Sequence, residues 1–247
     1  ITSTVSASTT SGFSIVKYTG TGANATVGHG LGVAPKMIIV KNLDNGLGYE
    51  WIIGNSDLAS GGTGFSANWY FNGFATGARN QNATASWNST SPTNSVFSLH
   101  SGATYMNASG EANIAYCFAE KKGFSKFGSY TGNGNADGSF IFCGFKPAFV
   151  MFKRSDGGTE NWALLDSTRS YANVSNHTLA ANSSNAESSF GGGESVGGAS
   201  NKVDILSNGI KIREASNYNN TSGATYIFMA FAEEPLVSSN GVPATAR

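Results

Sequence analysis

Residues 18–41 read YTGTGANATVGHGLGVAPKMIIVK, and residues 130–153 read YTGNGNADGSFIFCGFKPAFVMFK. Set side by side without a gap, the two share the Tyr-Thr-Gly opening, two further glycines, a proline and the closing lysine. In both, a polar, glycine-rich half gives way to an apolar half. Glycines at fixed offsets repeat a backbone, because they occupy conformations that a side chain forbids. A proline at the mouth of an apolar run suits the first residue of a strand, where its missing N–H breaks no ladder bond. KMIIVK and AFVMFK are apolar on consecutive residues, as in a strand covered on both faces. The stretch reads as strand end, turn and buried strand, written twice.

The echo continues outward. Residues 107–120, NASGEANIAYCFAE, return at 220–233 as NTSGATYIFMAFAE, identical at half of the positions. Trp51 answers Trp162, and Tyr70-Phe71-Asn72 answers Ala180-Ala181-Asn182. A period of 112 residues from Tyr18 to Tyr130, and 113 from Asn107 to Asn220, is too long for a solenoid repeat and implies tandem duplication of a domain-sized unit. We read residues 1–12 as a polar linker, 13–121 as the first unit, 122–235 as the second and 236–247 as a polar tail. The remaining strand signals (SIVKYTG, EWIIG, SVFSLHS, SFIFCGF, NWALLD) are short, rich in β-branched and aromatic residues, and bounded by Gly, Asn and Ser. Ser207-Asn208-Gly209, between VDIL and IKI, signals a hairpin. No segment sustains a 3.6-residue apolar period. The expected fold is all-β: two tandem antiparallel β-sandwich-like units related by internal duplication. Residues 180–200, nearly all small, polar or Gly, read as a long mobile loop.

Composition narrows the function. Of 247 residues, 15 are Lys or Arg and 15 Asp or Glu, so the chain is neutral and only 12% charged. It lacks the basic field that nucleic acid requires, and no apolar run reaches the roughly 18 residues of a membrane span. Ile1-Thr-Ser-Thr is neither a start nor a signal peptide and reads as the continuation of a longer chain. Cys117 and Cys143 lie in apolar runs, and their repeat counterparts are Ala230 and Leu31. Free core thiols are the expectation, rather than a disulfide. His29, His100 and His177 are not repeated, and no nucleophile elbow, phosphate loop or zinc motif is present. The chain is expected to be no enzyme, and to need no cofactor or metal. A carbohydrate-active enzyme would have to draw its paired carboxylates from Asp57, Glu111, Asp137, Asp166 and Glu194. Asn133–Gly138, NGNADG, resembles the opening of a calcium loop, but its twelfth position is Gly144 where a bidentate Glu belongs. It reads as a turn.

Sugar binding has better material. Trp69, Tyr70, Asn72 and Trp87, with Asn80, Gln81, Asn82 and Asn88 nearby, combine ring faces with amides, the chemistry that stacks on pyranose rings and reads hydroxyls. Strands also bury such rings routinely. Alternation along a strand sends Trp69 and Phe71 one way and Tyr70 the other, so both readings stand. Trp51 and Trp162, which recur, are expected in the core. A duplicated framework should acquire function where its copies differ, and they differ most over residues 55–96 and 166–202. The first of these stretches holds the aromatic and amide cluster.

Three segments carry a resemblance: GFSIVKYTGTGANATVGHGLGVAPKMIIVKN (12–42), YCFAEKKGFSKFGSYTGNGNADGSFIFCGFKPAFVMFKR (116–154) and TYIFMAFAEEPLVSSNGVPATAR (225–247). In order and spacing they resemble the C-terminal repeat region of phage virion proteins, tail-fibre or related structural proteins frequent in marine phages. The likeness runs from about Phe13 to Arg247 and carries over no site residues. It implies an extracellular, virion-borne structural module used in attachment to a host-surface glycan or protein. Other virion proteins would be its partners, and a homo-oligomer such as a trimer its assembly. A capsid decoration or fibre domain without a receptor is the alternative.

Overall fold

The computed structural model describes residues 1–45, 49–82, 86–158, 160–169, 173–175, 177–185, 187, 202–215 and 218–233. They form an all-β protein divided into two units. Of the stretch 180–200 read as a loop, Ala180 instead ends a short strand paired with Ala163, and 186 and 188–200, like the tail 236–247, lie outside the described residues.

The first unit comprises Ile1–Gly73 and Arg79–Glu120. Its strands are β1 (Ser3–Ser8), β2 (Phe13–Thr19), β3 (Ala25–Gly28), β4 (Met37–Asn42), β5 (Ile52–Asn55), β6 (Trp69–Asn72), β7 (Asn80–Gln81), β8 (Val96–Leu99) and β9 (Ala112–Phe118). Seven make one sheet, in the order β1-β2-β9-β4-β5-β6-β7, with antiparallel neighbours; β3 and β8 form a separate pair. Alternation decides the faces: Val16, Tyr18, Ile38, Val40, Ala115 and Cys117 point inward and share one core with Val27, Phe97 and Leu99 of the small pair.

The second unit comprises Phe74–Ala78 and Lys121–Arg247. Its strands are β10 (Ser125–Thr131), β11 (Phe140–Phe142), β12 (Pro147–Arg154), β13 (Ala163–Asp166), β14 (Leu179–Ala180), β15 (Val203–Leu206), β16 (Gly209–Ile212) and β17 (Thr225–Ala232). One sheet runs β10-β17-β12-β13-β14, the other β11-β16-β15. Val150, Phe152, Leu165 and Phe228 of the first meet Ile141, Val203, Ile205, Ile210 and Ile212 of the second in a shared core. The hairpin signal at Asn208-Gly209 is met by β15 and β16, paired Leu206 to Gly209. The five residues from the first half of the chain are built in firmly. Phe74 packs edge-on against Trp162 at 5.2 Å, Trp162 Nε1 donates to the Ala75 carbonyl (3.2 Å), and the buried Lys153 ammonium donates to the carbonyls of Thr76 (2.7 Å) and Glu160 (2.8 Å).

The two large sheets repeat one order: β2-β9-β4-β5-β6 corresponds to β10-β17-β12-β13-β14. Register repeats as well. Tyr18 faces Asn113 and Tyr130 faces Tyr226; Ile39 faces Tyr116 and Ile53, while Met151 faces Met229 and Leu164. All of these are equivalent positions in the two sequence segments.

Two sequence expectations need correction. Ser3–Ser8, inside the stretch read as linker, is strand β1, paired with β2 over its whole length. Its small and β-branched residues suit an exposed edge strand, which needs no apolar face and so gave no periodic signal. Unit membership also departs from a single cut after residue 121, because Phe74–Ala78 belongs with the second half.

Candidate functional site

The cluster singled out in the sequence sits at one margin of the seven-stranded sheet. β6 pairs with β5 through Ile52–Asn72 and Ile53–Phe71, and with β7 through Trp69–Gln81 and Tyr70–Asn80. Its burial does not alternate simply: Trp69 is half-buried, Tyr70 and Phe71 are buried, and Asn72 is exposed.

Two of the four candidate residues are core, which corrects the glycan-facing reading for them. Tyr70 belongs to the main core of the unit, and burial pushes its phenol pKa up. Trp87 is 1% exposed; its ring stands edge-on to Phe65 at 4.9 Å, and its Nε1 donates to the Trp69 carbonyl (3.1 Å). Gly54 makes room for it, since a Cβ there would lie 2.4 Å from Trp87 Cζ2. Neither ring offers a face to a ligand. Trp69 and Asn72 remain at the surface. The Arg79 guanidinium lies 4.3 Å from the Trp69 ring centroid and also donates to the Leu58 carbonyl, so it is held over the indole. Exposed amides of Asn72, Asn80, Gln81 and Asn82 flank this pair, with Gln81 Nε2 anchored on the Ala67 carbonyl (2.9 Å). The margin therefore presents one indole capped by a cation, with amide donors and acceptors beside it. That is a polar surface with a single stacking element.

The other chemistry-bearing residues serve the framework. His29 is buried: Nδ1 accepts from the Leu31 N–H (3.2 Å), which leaves the proton on Nε2, 3.1 Å from the Thr93 carbonyl. Burial lowers its pKa. Cys117 and Cys143 are free and buried, and burial raises the Cys117 thiol to about 12. In the 133–138 loop, Asn133 Nδ2 donates to the Asp137 carbonyl, Asn133 Oδ1 accepts from the Asn135 N–H, and Asn135 Oδ1 accepts from the Asp137 N–H. Lys211 Nζ lies 2.8 Å from Asp137 Oδ1, where a loop cation would seek its ligand, and holds that carboxyl below its usual range. Among the described residues, no three His, Cys, Asp or Glu side chains converge as a metal-binding group, and no helix is long and apolar enough to cross a membrane. Of the acids weighed as a glycosidase pair, Glu111 accepts from Asn42 and Asn45, Asp57 accepts from Ser56, and Asp166 meets Arg169, while Glu194 lies outside the described residues.

An ionic cluster lies at the end of β12. Arg154 contacts Asp156 (3.0 Å) and Glu160 (3.2 Å), and Asp156 Oδ2 accepts from the Thr225 N–H (2.6 Å). Burial brings the neighbouring Lys153 down to about 8, against the opposing pull of Glu160.

Residues missed in the sequence reading are Asn107 and Asn220, both fully buried. Asn107 Oδ1 accepts from the Thr21 N–H, and its Nδ2 donates to the carbonyls of Ala23 and His100. Asn220 Oδ1 accepts from the Asn133 N–H, and its Nδ2 donates to the carbonyls of Asn135 and Glu214. The Tyr18 hydroxyl donates to the Met106 carbonyl and that of Tyr130 to the Asn219 carbonyl (2.7 and 2.8 Å). Asp44 accepts from the Ala112 N–H as Asp156 does from Thr225. The signal was the repeated Asn-x-Ser-Gly beside the repeated Tyr-Thr-Gly-x-Gly: a buried amide on one segment closes the glycine turn of the other.

A model of the family described as Domain of unknown function (DUF7483) matches residues 1–235, so the chain belongs to that family. No curated protein and no solved structure matches the chain.

Proposed function

We propose that the chain is a non-enzymatic phage virion module, a tail-fibre or appendage domain used in attachment to the host cell surface, built by tandem duplication of one β unit. One observation carries the reading: the repeated polar residues are consumed by framework hydrogen bonds. Asn107 and Asn220, with Asp44 and Asp156, satisfy loop amides and carbonyls at equivalent points of both units. Such a frame holds a fixed scaffold and leaves the divergent loops to vary, the division of labour expected of a display domain. The neutral charge and the resemblance of the three quoted segments to phage tail-fibre proteins point the same way. The test is adhesion of the whole chain to susceptible host cells, together with location of the chain in an assembled particle. Saturable binding, and a position on a tail appendage, are the expected results. A capsid-surface position without cell binding would replace this reading with a decoration protein.

A further inference from the structure

The most exposed aromatic rings among the described residues are not those at β6 but a pair on the small sheet of the second unit. Phe140 is 46% exposed and Phe142 61%, and the residue between them, Ile141, is buried in the core. Alternation therefore places both rings on the outward face of β11, about 7 Å apart along the strand. Across the sheet, Phe140 lies in register with Lys211 and then Asp204, and Phe142 with Gly209 and then Leu206. The partner of the more exposed ring, Gly209, carries no side chain. The charges on this sheet and its flank cancel in pairs: Lys211 with Asp137 (2.8 Å) and Arg213 with Asp204 (3.2 Å). Exposed hydrogen-bonding groups stand at both ends, the Asp137 carboxylate (82% exposed) at one and the Ser207-Asn208 turn at the other.

We propose that this face is a binding site for a neutral saccharide, with Phe140 and Phe142 stacking on sugar rings and the Asp137 and Asn208 side chains contacting hydroxyls. Size decides the occupant. Three strands of three or four residues make a face about 10 Å on a side, on the order of 100 Å², far short of the roughly 800 Å² per partner of a stable protein interface. One or two pyranose rings match it. The paired charges give no net field to select an anionic or cationic ligand, and offer donors and acceptors to an uncharged one. Two stacking contacts make a weak site, which an array of copies on one particle would strengthen through multivalency.

The inference rests on the attachment reading, and two measurements separate their failures. Saturation-transfer NMR on the whole chain uses cellotriose, maltotriose and chitotriose, with sialyllactose as the charged comparison; host-cell adhesion is measured in parallel. We expect transfer to a neutral trisaccharide, with at least tenfold weaker binding for Phe140→Ser/Phe142→Ser and for Phe142→Gln alone at unchanged melting temperature. Unaltered sugar binding in the variants overturns the site and leaves the attachment reading intact. Cell adhesion without transfer to any neutral sugar overturns the saccharide inference alone, and loss of both overturns both. Concentration-dependent self-association that the Phe142→Gln change abolishes would assign the face to a second copy instead.

Discussion

The two units hold the same knots with different cores. In the first, Val16 faces Ala115 across the β2–β9 ladder; at the equivalent place in the second, Gly128 faces Phe228. A Cβ on Gly128 would lie 2.8 Å from Phe228 Cε1, so the large ring occupies the room that valine fills in the other copy. Met106, wholly buried in the first core, is answered by Asn219, equally buried, whose Nδ2 and Oδ1 make no hydrogen bond among the described residues. His29 is answered by Ile141. The lesson is that the hydrogen bonds closing the glycine turns hold the topology, while volume is exchanged freely between facing strands provided the total is kept.

The comparison breaks first at the asparagines. Asn107→Ala and Asn220→Ala should each destabilise their own unit by about 3 kcal/mol or more, since each strands one N–H and two carbonyls. Calorimetry on the two variants should show similar losses; a tolerant copy would mean that the shared network is not what holds both. The next largest effect is Gly128→Val, which should cost about 2 kcal/mol through the clash with Phe228 and be largely restored by adding Phe228→Ala. Additive losses in that double variant would refute the volume exchange. Asn219→Met, which copies the first unit into the second, should raise stability by about 1 kcal/mol by removing an unsatisfied buried amide. A loss would show that the amide has a partner, such as an ordered water.

The smallest effect is a difference in acid sensitivity. His29 is neutral in the fold, with a pKa lowered by burial, so the unfolded chain binds its proton first as pH falls below about 6.5. The stability it contributes is complete above that value and is lost toward the lower folded pKa. NMR titration should place the His29 imidazole below the ordinary histidine value of about 6.5. Melts between pH 7.5 and 5.5 should weaken the first unit more than the second, which has Ile141 in its place. An imidazole that protonates at pH 6.5 or above would remove the distinction.

How much of this was legible in the sequence depends on period. β4 and β12 were readable because consecutive apolar residues and a fixed proline mark a buried strand; of Trp51 and Trp162, which precede β5 and β13 and were both expected in the core, Trp162 is buried and Trp51 only half-buried. β1 was not, because STVSAS lies exposed and carries no apolar rhythm. The site was read less well. Whether Tyr70 or Trp69 faces solvent depends on which side of β6 meets the core, and Trp87 is buried by Gly54 and Phe65, neither of them near it in sequence. Phe140 and Phe142 were seen only as strand material, because SFIFCGF shows alternation of chain but no alternation of polarity.

The excursion at Phe74–Ala78 bears on how such proteins can be shuffled. A unit that begins cleanly at Lys121 would leave behind the carbonyls that receive Trp162 Nε1 and Lys153 Nζ, together with the ring packed on Trp162. A recombination junction at the visible boundary between repeats would thus export an incomplete copy. Genetic exchange that respects the fold must carry the loop after β6 along with the second unit, so the two halves should be inherited as one cassette.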